Sequence, residues 1–584
     1  MEKQVKSLTH KRCRNNERGA ALVTVLMITF LLLVAVIALL LESSMNAANV
    51  TDATAEQQAY YAAESGIQST INVLRGNTLP NPLINPTATH EDNKISFTKA
   101  IKTSTSNFDA DTSAKPRLSR WINYDATDRA TLGTSFTNPY NAQTGFAYQV
   151  TVEDPDRSTE SLTYYTTGRI YVYGENTAAS SEKTFTSGGS SLKIKYNSVS
   201  STDVTFPSNP TSTAANFGSF TVTASGTGVT IPAKIRFEIV VKVTAQHVVD
   251  KAIRGTITGG SSGITLTFDS QLVDLAGGKI ALNIPVTTRT LSLGTGGSTN
   301  LTGTMTPIEP TRLLIRSTGF GPRGAKKQLE AIVQKNFLDG LAAPATLTLI
   351  GSKDGFVFHP GTSAKVTYSG DDVASTINIP SIGTSNFDNL DAVLQELDKN
   401  SVKTDPQPPP TDVSVEMPDW LTTPYKLDQQ IQAFRATAKQ LRGRYYPNDL
   451  GQLQPAKGDF GNVLTGEGIT FIDGDATLSD QGGGILICTG KLTLDGGVDF
   501  KGLIIVTGAG GIDRNGSGNG NLQGNTVVAP YNPADITNPL ITAQFLAPKY
   551  NLNGGGTSTI QYNSNSISNG LLAVSNFIKG IAEK

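Results

Sequence analysis

Histidine and cysteine are almost missing from this chain of 584 residues, which has four of the first and two of the second. His10, His90, His247 and His359 are scattered, so spacing assembles no Ser-His-Asp triad and no histidine metal set. Two cysteines cannot make a disulfide framework or a cysteine-based zinc site. Cys488 lies within the apolar run Ile485-Leu486-Ile487-Cys488 and reads as a small buried hydrophobe. Charge is scarce as well: Asp, Glu, Lys and Arg are 17% of the chain, the net charge is −1 and the isoelectric point is near 6.5. Beyond the first 18 residues no basic stripe stands out, which argues against a nucleic-acid-binding surface. A P-loop is excluded because Leu492 follows Gly490-Lys491 where Ser or Thr is required.

What the chain does have is one long apolar run. From Ala20 to Leu41 there is no charged side chain, and Thr24 and Thr29 are the only polar ones. A helix of that length rises about 33 Å, enough to cross a bilayer's hydrocarbon core, with Ala20, Leu22, Leu26, Phe30, Leu33, Val36 and Leu40 facing lipid. The chain then continues through an Ala-, Glu- and Gln-rich stretch with no proline before Pro80, so one helix is expected from about Ala20 to Leu74. Lys3, Lys6, Lys11, Arg12, Arg14 and Arg18 outweigh Glu2 and Glu17, which places the N-terminus in the cytoplasm and exports the rest. A cleaved secretory signal ending near Ala47-Ala48 and an uncleaved anchor are the alternatives.

Taken together, these residues resemble a known pattern. The basic leader ending in Gly19, then Ala20-Ala21-Leu22-Val23, the apolar helix and Ala59-Tyr60-Tyr61-Ala62-Ala63-Glu64-Ser65-Gly66 are similar to the N-terminus of type IV pilin-like proteins. The PilX-like minor pilins and the large K-type pseudopilins of type II secretion are the nearest branches. The resemblance covers roughly residues 10–75. It implies that prepilin peptidase cuts after Gly19, leaving an N-methylated Ala20 as mature residue one and removing Cys13 with the leader. It also implies other minor pilins, the inner-membrane assembly platform and the lipid bilayer as partners, and no cofactor. One position departs from the family pattern: major pilins carry Glu at the fifth mature position, which is Thr24 here. A subunit without that Glu fits a tip or initiating role better than a shaft role.

The expected fold class is α+β and predominantly β, with a leader (1–19), a transmembrane and stalk helix (20–75) and a β-rich antiparallel head (76–350). A helical and Pro-rich connection (351–445) and a short parallel β-helix-like module (446–584) follow. In the head, alternation over Phe146–Val152, Gly168–Tyr173 and Lys234–Val243 predicts half-buried strands, and Thr186–Ser191 and Ser208–Phe217 predict loops. Residues 255–303 are expected to form an extended hairpin or insertion. Gly319-Phe-Gly321-Pro-Arg-Gly324 matches a dinucleotide-binding fingerprint literally, but alternation continues after it, so a β-hairpin turn is expected. Apolar spacing predicts helices over Phe387–Leu397 and Leu427–Leu441, flanking a stiff spacer at Asp405–Pro410 and a module boundary within about 400–425.

The last module carries the internal repeat. Ile469–Leu478, Ile485–Leu494 and Leu503–Ile512 align, with Gly474, Gly490 and Gly508 recurring at one position and Asn525–Ala529 as a fourth unit. Such a unit cannot bury its own apolar face and must stack on its neighbours. A terminal helix is expected over Gly570–Ile581. Asp473, Asp475, Asp480 and Asp495 sit at turns, where Asp serves the backbone; Asp473 and Asp475, with Asp513 and Asn515, are weak calcium candidates. The reading that follows is a non-enzymatic pilin-like subunit. A membrane-anchored adhesin or carbohydrate-binding protein outside any filament, and an exported polysaccharide-active enzyme, are the rivals.

Overall fold

A computed structural model describes residues 17–74, 97, 101 and 147–583, apart from 159, 177–179, 207–211, 245–248, 276–277, 335–341, 363–364, 401, 405–407, 441–442, 448–459, 462–467, 480, 516–519, 538–541, 554–555 and 573–576. The fold is mostly β, built on one long apolar N-terminal helix. Most of the leader, with His10 and Cys13, lies outside the described residues, as do His90, His247, Asp480 and Leu441.

Helix α1 runs unbroken over Glu17–Leu74, 58 residues and about 87 Å. Its polar side chains within the apolar part are satisfied locally. Thr24 Oγ1 donates to the Ala20 carbonyl at 2.9 Å and Thr29 Oγ1 to that of Val25 at 2.9 Å, so neither hydroxyl needs water.

The outer part of α1 lies on a four-stranded antiparallel sheet in the order Ala147–Glu153, Arg312–Phe320, Lys326–Gln334, Phe577–Glu583. Ile67, Ile71 and Leu74 of the helix form one buried cluster with Val150, Val152, Leu313, Ile315, Leu329, Ala331 and Val333. Both large modules are insertions into this small unit. The first fills the interval between Glu153 and Arg312, the second that between Gln334 and Phe577. Because Glu153 lies opposite Leu314, and Gln334 opposite both Arg312 and Phe577, all four junctions sit at one end of the sheet. Contacts with α1 step from Ala55 at Gly321 to Gly66 at Ser317, so that end is the one remote from the apolar half of the helix.

The first insertion is a sandwich of two six-stranded antiparallel sheets. Its core is lined by alternating apolar residues and by Phe220, Phe237 and Phe268, whose rings follow one another at 5.4 and 5.1 Å. Residues 255–303 are not a protruding hairpin, as expected, but supply three strands to each sheet. The expected loop Ser208–Phe217 is likewise shorter: strand Thr213–Ser225 begins within it and buries Phe217 fully. Low charge and many Thr and Gly disguised both as surface.

In the second insertion the strands pair in parallel. Ile469–Ile472, Gln481–Cys488, Asp499–Val506 and Gly520–Val528 are successive neighbours in one sheet, and Ala476–Leu478, Leu492–Leu494, Ile512–Asn515 and Lys549–Asn553 in another. Ile469, Ile485, Leu503 and Asn525 stand in one register. The third unit departs from the expected alignment by two residues, since Ile512 lies beside Leu492 and not Leu494; the longer turn through Gly511 absorbs the difference. Strands from 351–445 join the same sheets: Val357–His359 pairs with Lys549–Asn553 and Val366–Ser369 with Ser558–Gln561. The expected boundary within 400–425 therefore runs through paired strands. Helices α2 (Phe387–Asn400) and α3 (Pro424–Ala438) flank the stack, α3 starting with Thr423 as cap. Of the expected stiff spacer, Asp405–Gln407 lies outside the described residues and Pro408–Pro410 is buried. The expected terminal helix Gly570–Ile581 is also corrected: a helix over Ser564–Leu572 ends early, and Phe577–Glu583 returns to the stalk sheet.

Candidate assembly interface

Two halves of α1 have opposite surroundings. Every residue from Gly19 to Thr54 is exposed, including Ala20, Leu22, Leu26, Phe30, Leu33, Val36 and Leu40. This stretch is long and apolar enough to cross a membrane and fits a single-pass anchor. From Ala55 onward one face is buried, and its first part is made of small residues, Ala55, Ala59, Ala62, Ala63 and Gly66, before Ile67, Ile71 and Leu74. Glu64 sits half-buried at the flank of that face.

Smallness is matched across the contact. A Cβ on Gly319 would overlap the Ala59 carbonyl oxygen and the Ala63 nitrogen, and one on Gly321 the Ala55 carbonyl oxygen. Added at Gly66, it would meet Ser317 Oγ and reach Tyr148 Cδ2 at 3.0 Å. Backbone thus lies on backbone, and the hairpin reading of Gly319–Gly324 gains a reason for its glycines. Arg312–Phe320 and Lys326–Gln334 pair in full around the Pro322–Gly324 turn, where no phosphate cradle opens a helix. Arg323 and Lys327 pair with Asp52 and Glu56 of α1 at 3.2 and 3.4 Å. Both pairs are exposed and add little.

The repeat glycines serve a similar purpose. A Cβ on Gly490 would meet the backbone of Gly474 and Asp475, and one on Gly508 that of Gly490. Asp473 accepts from Arg435 Nη2 of α3 at 2.7 Å and from Tyr445 Oη at 2.8 Å, while Asp475 Oδ1 accepts from the Lys491 amide at 2.7 Å. Asp495 accepts from the Gly496 amide, and Asp513 from Asn551 Nδ2 at 3.0 Å. These carboxylates hold turns and neighbouring strands. Among the described residues no three His, Cys, Asp or Glu side chains gather as a metal site. His359 is exposed, with Nδ1 3.6 Å from Glu396. Cys488 is buried with Sγ 3.2 Å from the Gly474 carbonyl, and burial pushes its thiol up to about 12, too high for a nucleophile at neutral pH.

One charged group was not legible in the sequence. On the outer face of the sandwich, Glu238 accepts from Arg169 Nε and Arg254 Nε, each at 2.8 Å, and Arg254 Nη1 lies 2.5 Å from Glu416. Arg236 pairs with Asp269 beside them. Alternation in Ile235–Val243 signals an outward Arg236 and Glu238, but not the partners that enclose them: Asp269 on Arg236, and Arg169 and Arg254 on Glu238, with Glu416, far along the chain, closing on Arg254. Burial alone would lower the Arg254 pKa and raise that of Glu238. The facing carboxylates hold Arg254 above its ordinary value instead, and Arg254 with Arg169 holds Glu238 below its own.

A carboxyl with a depressed native pKa binds protons less readily than in the unfolded chain. Its stabilisation is complete above the unfolded value of about 4.3 and is lost as pH falls through the native value. The sandwich is therefore expected to melt at lower temperature on acidification below about pH 4. Glu238→Gln, weaker throughout, should show a flatter acid limb in calorimetry. Equal acid slopes in the two proteins would remove Glu238 from this role.

No family model, no curated protein and no solved structure matches this chain. What the fold defines is a class only: a mostly β protein carried on one candidate membrane-spanning helix.

Proposed function

We propose that this chain is a non-enzymatic, pilin-like minor subunit of a type IV pilus or related secretion fibre, acting in assembly initiation or tip display. One observation carries the reading. A single helix is bare and apolar over Gly19–Leu41 and docked on an antiparallel sheet over Ala55–Leu74, so the same element serves as anchor and as spine of a head. In this reading prepilin peptidase cuts between Gly19 and Ala20 on the cytoplasmic side and leaves Ala20 N-methylated. The apolar half stays in the inner membrane until the assembly platform transfers it to a bundle with other minor pilins. Thr24 supports the initiating role: its hydroxyl is satisfied by its own helix and offers no carboxylate to a neighbouring amine.

The bulk of the two insertions agrees with a tip position. Both grow from the end of the stalk sheet remote from the anchor, where a second subunit stacked beyond would meet them. We read the second insertion as a short β-helix, on the strength of its parallel, in-register strands. Its place at the distal end suits surface display.

N-terminal sequencing of the membrane-extracted protein tests the proposal. A first residue at Ala20 carrying an N-methyl group is expected. An intact leader, or a terminus near Ala48, sinks the pilin reading and leaves an anchored surface protein.

A further inference from the structure

The sandwich and the parallel stack touch through a face that carries buried charge. The largest clusters of buried apolar residues fall separately in the sandwich, the stack and the stalk, and none of them spans the sandwich and the stack. Apolar residues meet there as well, among them Ile253 and Val273 opposite Ile377 and Pro408, but the bonds that cross the junction are polar. The short helical turn Ser414–Glu416 sends the Glu416 carboxylate into the sandwich, where Oε1 accepts from the Ala252 amide at 2.9 Å and Oε2 faces Arg254 Nη1 at 2.5 Å. Tyr173 Oη of the sandwich donates to the Pro410 carbonyl at 2.8 Å.

Beside Glu416 the two surfaces do not close. A cavity of about 70 Å³ remains, lined by Lys251, Arg254, Asp269 and Asp274 on one side and by Pro344 and Tyr562 on the other. Arg254 Nη2 and Asp269 Oδ1 are buried and have no hydrogen-bond partner among the described residues. Buried polar atoms of this kind call for water, and the volume is enough for a small cluster of about five. The junction therefore has room for water around buried charge and is not closed by one continuous apolar core. A contact with these properties lets its modules move unless a specific bond holds them.

We propose that Glu416 is a latch: its two bonds to Ala252 and Arg254 hold the sandwich at one angle to the stack, and breaking them converts a rigid crown into a hinged one. Glu416 faces Arg254 from the sandwich, with Lys251, Asp269 and Asp274 also lining the cavity and Glu238 behind Arg254. It is the stack carboxylate that bonds directly to the sandwich here. Removing it leaves Arg254 with Glu238 as its bonded carboxylate and the Ala252 amide without its acceptor, while both apolar cores stay intact.

The test uses the full chain in detergent, with Cys13→Ser and spin labels at Lys193→Cys on the sandwich and Lys549→Cys on the stack. Pulsed electron resonance should give a narrow distance distribution for Glu416 and a broad one for Glu416→Ala and Glu416→Gln. Hydrogen exchange at the Ala252 amide should speed up by about 10–100-fold in Glu416→Ala, the equivalent of a lost charge-assisted bond, with Phe237 in the sandwich core unchanged. A narrow distribution in both variants overturns the proposal. If Glu416→Ala also loosens Phe237, the milder Glu416→Gln decides on the same two outcomes.

Discussion

Gly502→Val is expected to lower the stability of the stacked-strand module by about 2–6 kcal/mol, through backbone strain and overpacking together. Gly484, Gly502 and Gly524 are successive partners across three parallel strands, with φ of 94°, 143° and 136°. All three occupy the left-handed half of the map, where a β-branched residue is strained. A Cβ on Gly502 would also overlap the Gly484 carbonyl oxygen, and one on Gly524 that of Gly502. Valine therefore meets backbone, which cannot rotate away as a side chain would. Denaturant unfolding followed by circular dichroism should show the midpoint falling steeply for valine and less for alanine. An unchanged midpoint for Gly502→Val would mean that these strands are not stacked as described.

The sequence repeat made only part of this ladder legible. Gly474, Gly490 and Gly508 recur in matching contexts and mark the turn. Gly484, Gly502 and Gly524 escape notice because Gly482-Gly483-Gly484 reads as a flexible run and Gly502 follows a lysine in an ordinary strand. A continuous apolar run with no proline before Pro80 found α1, and apolar periodicity found α2, α3 and the strands that alternate, since each of those patterns is local. It missed what depends on distant partners. Phe577–Glu583 is a strand because Lys326–Gln334 offers it an edge, nearly the full length of an insertion away. Glu416 is buried because Arg254 receives it, and nothing in the residues around Glu416 announces that. The same limit explains why residues 255–303 looked like an appendage. Thr and Gly on an outward face resemble a loop until the second sheet of the sandwich is in place.

The remaining large effect is expected at Gly319, and it separates the stalk from everything the stalk carries. Gly319→Val places a branched Cβ against the Ala59 carbonyl and the Ala63 nitrogen, in a contact where helix and strand meet backbone to backbone. Overpacking of that kind costs about 1–3 kcal/mol when neighbours can shift. Here the neighbours are a helix backbone and a strand paired on both sides, so the upper end applies. Relief comes most easily by lifting α1 off the sheet, which exposes Ile67, Ile71 and Leu74. Ala63→Gly should then recover part of the loss, because it removes one of the overlapping neighbours, the Ala63 methyl at 3.0 Å. Limited proteolysis of the detergent-solubilised chain reads the outcome: cleavage within Ala55–Leu74 should rise in Gly319→Val while the sandwich and stack stay resistant. Equal protection in the variant and the parent would show that α1 does not rest on Gly319. Loss of resistance everywhere would show that the insertions lean on the stalk for their own folding, contrary to their separate cores.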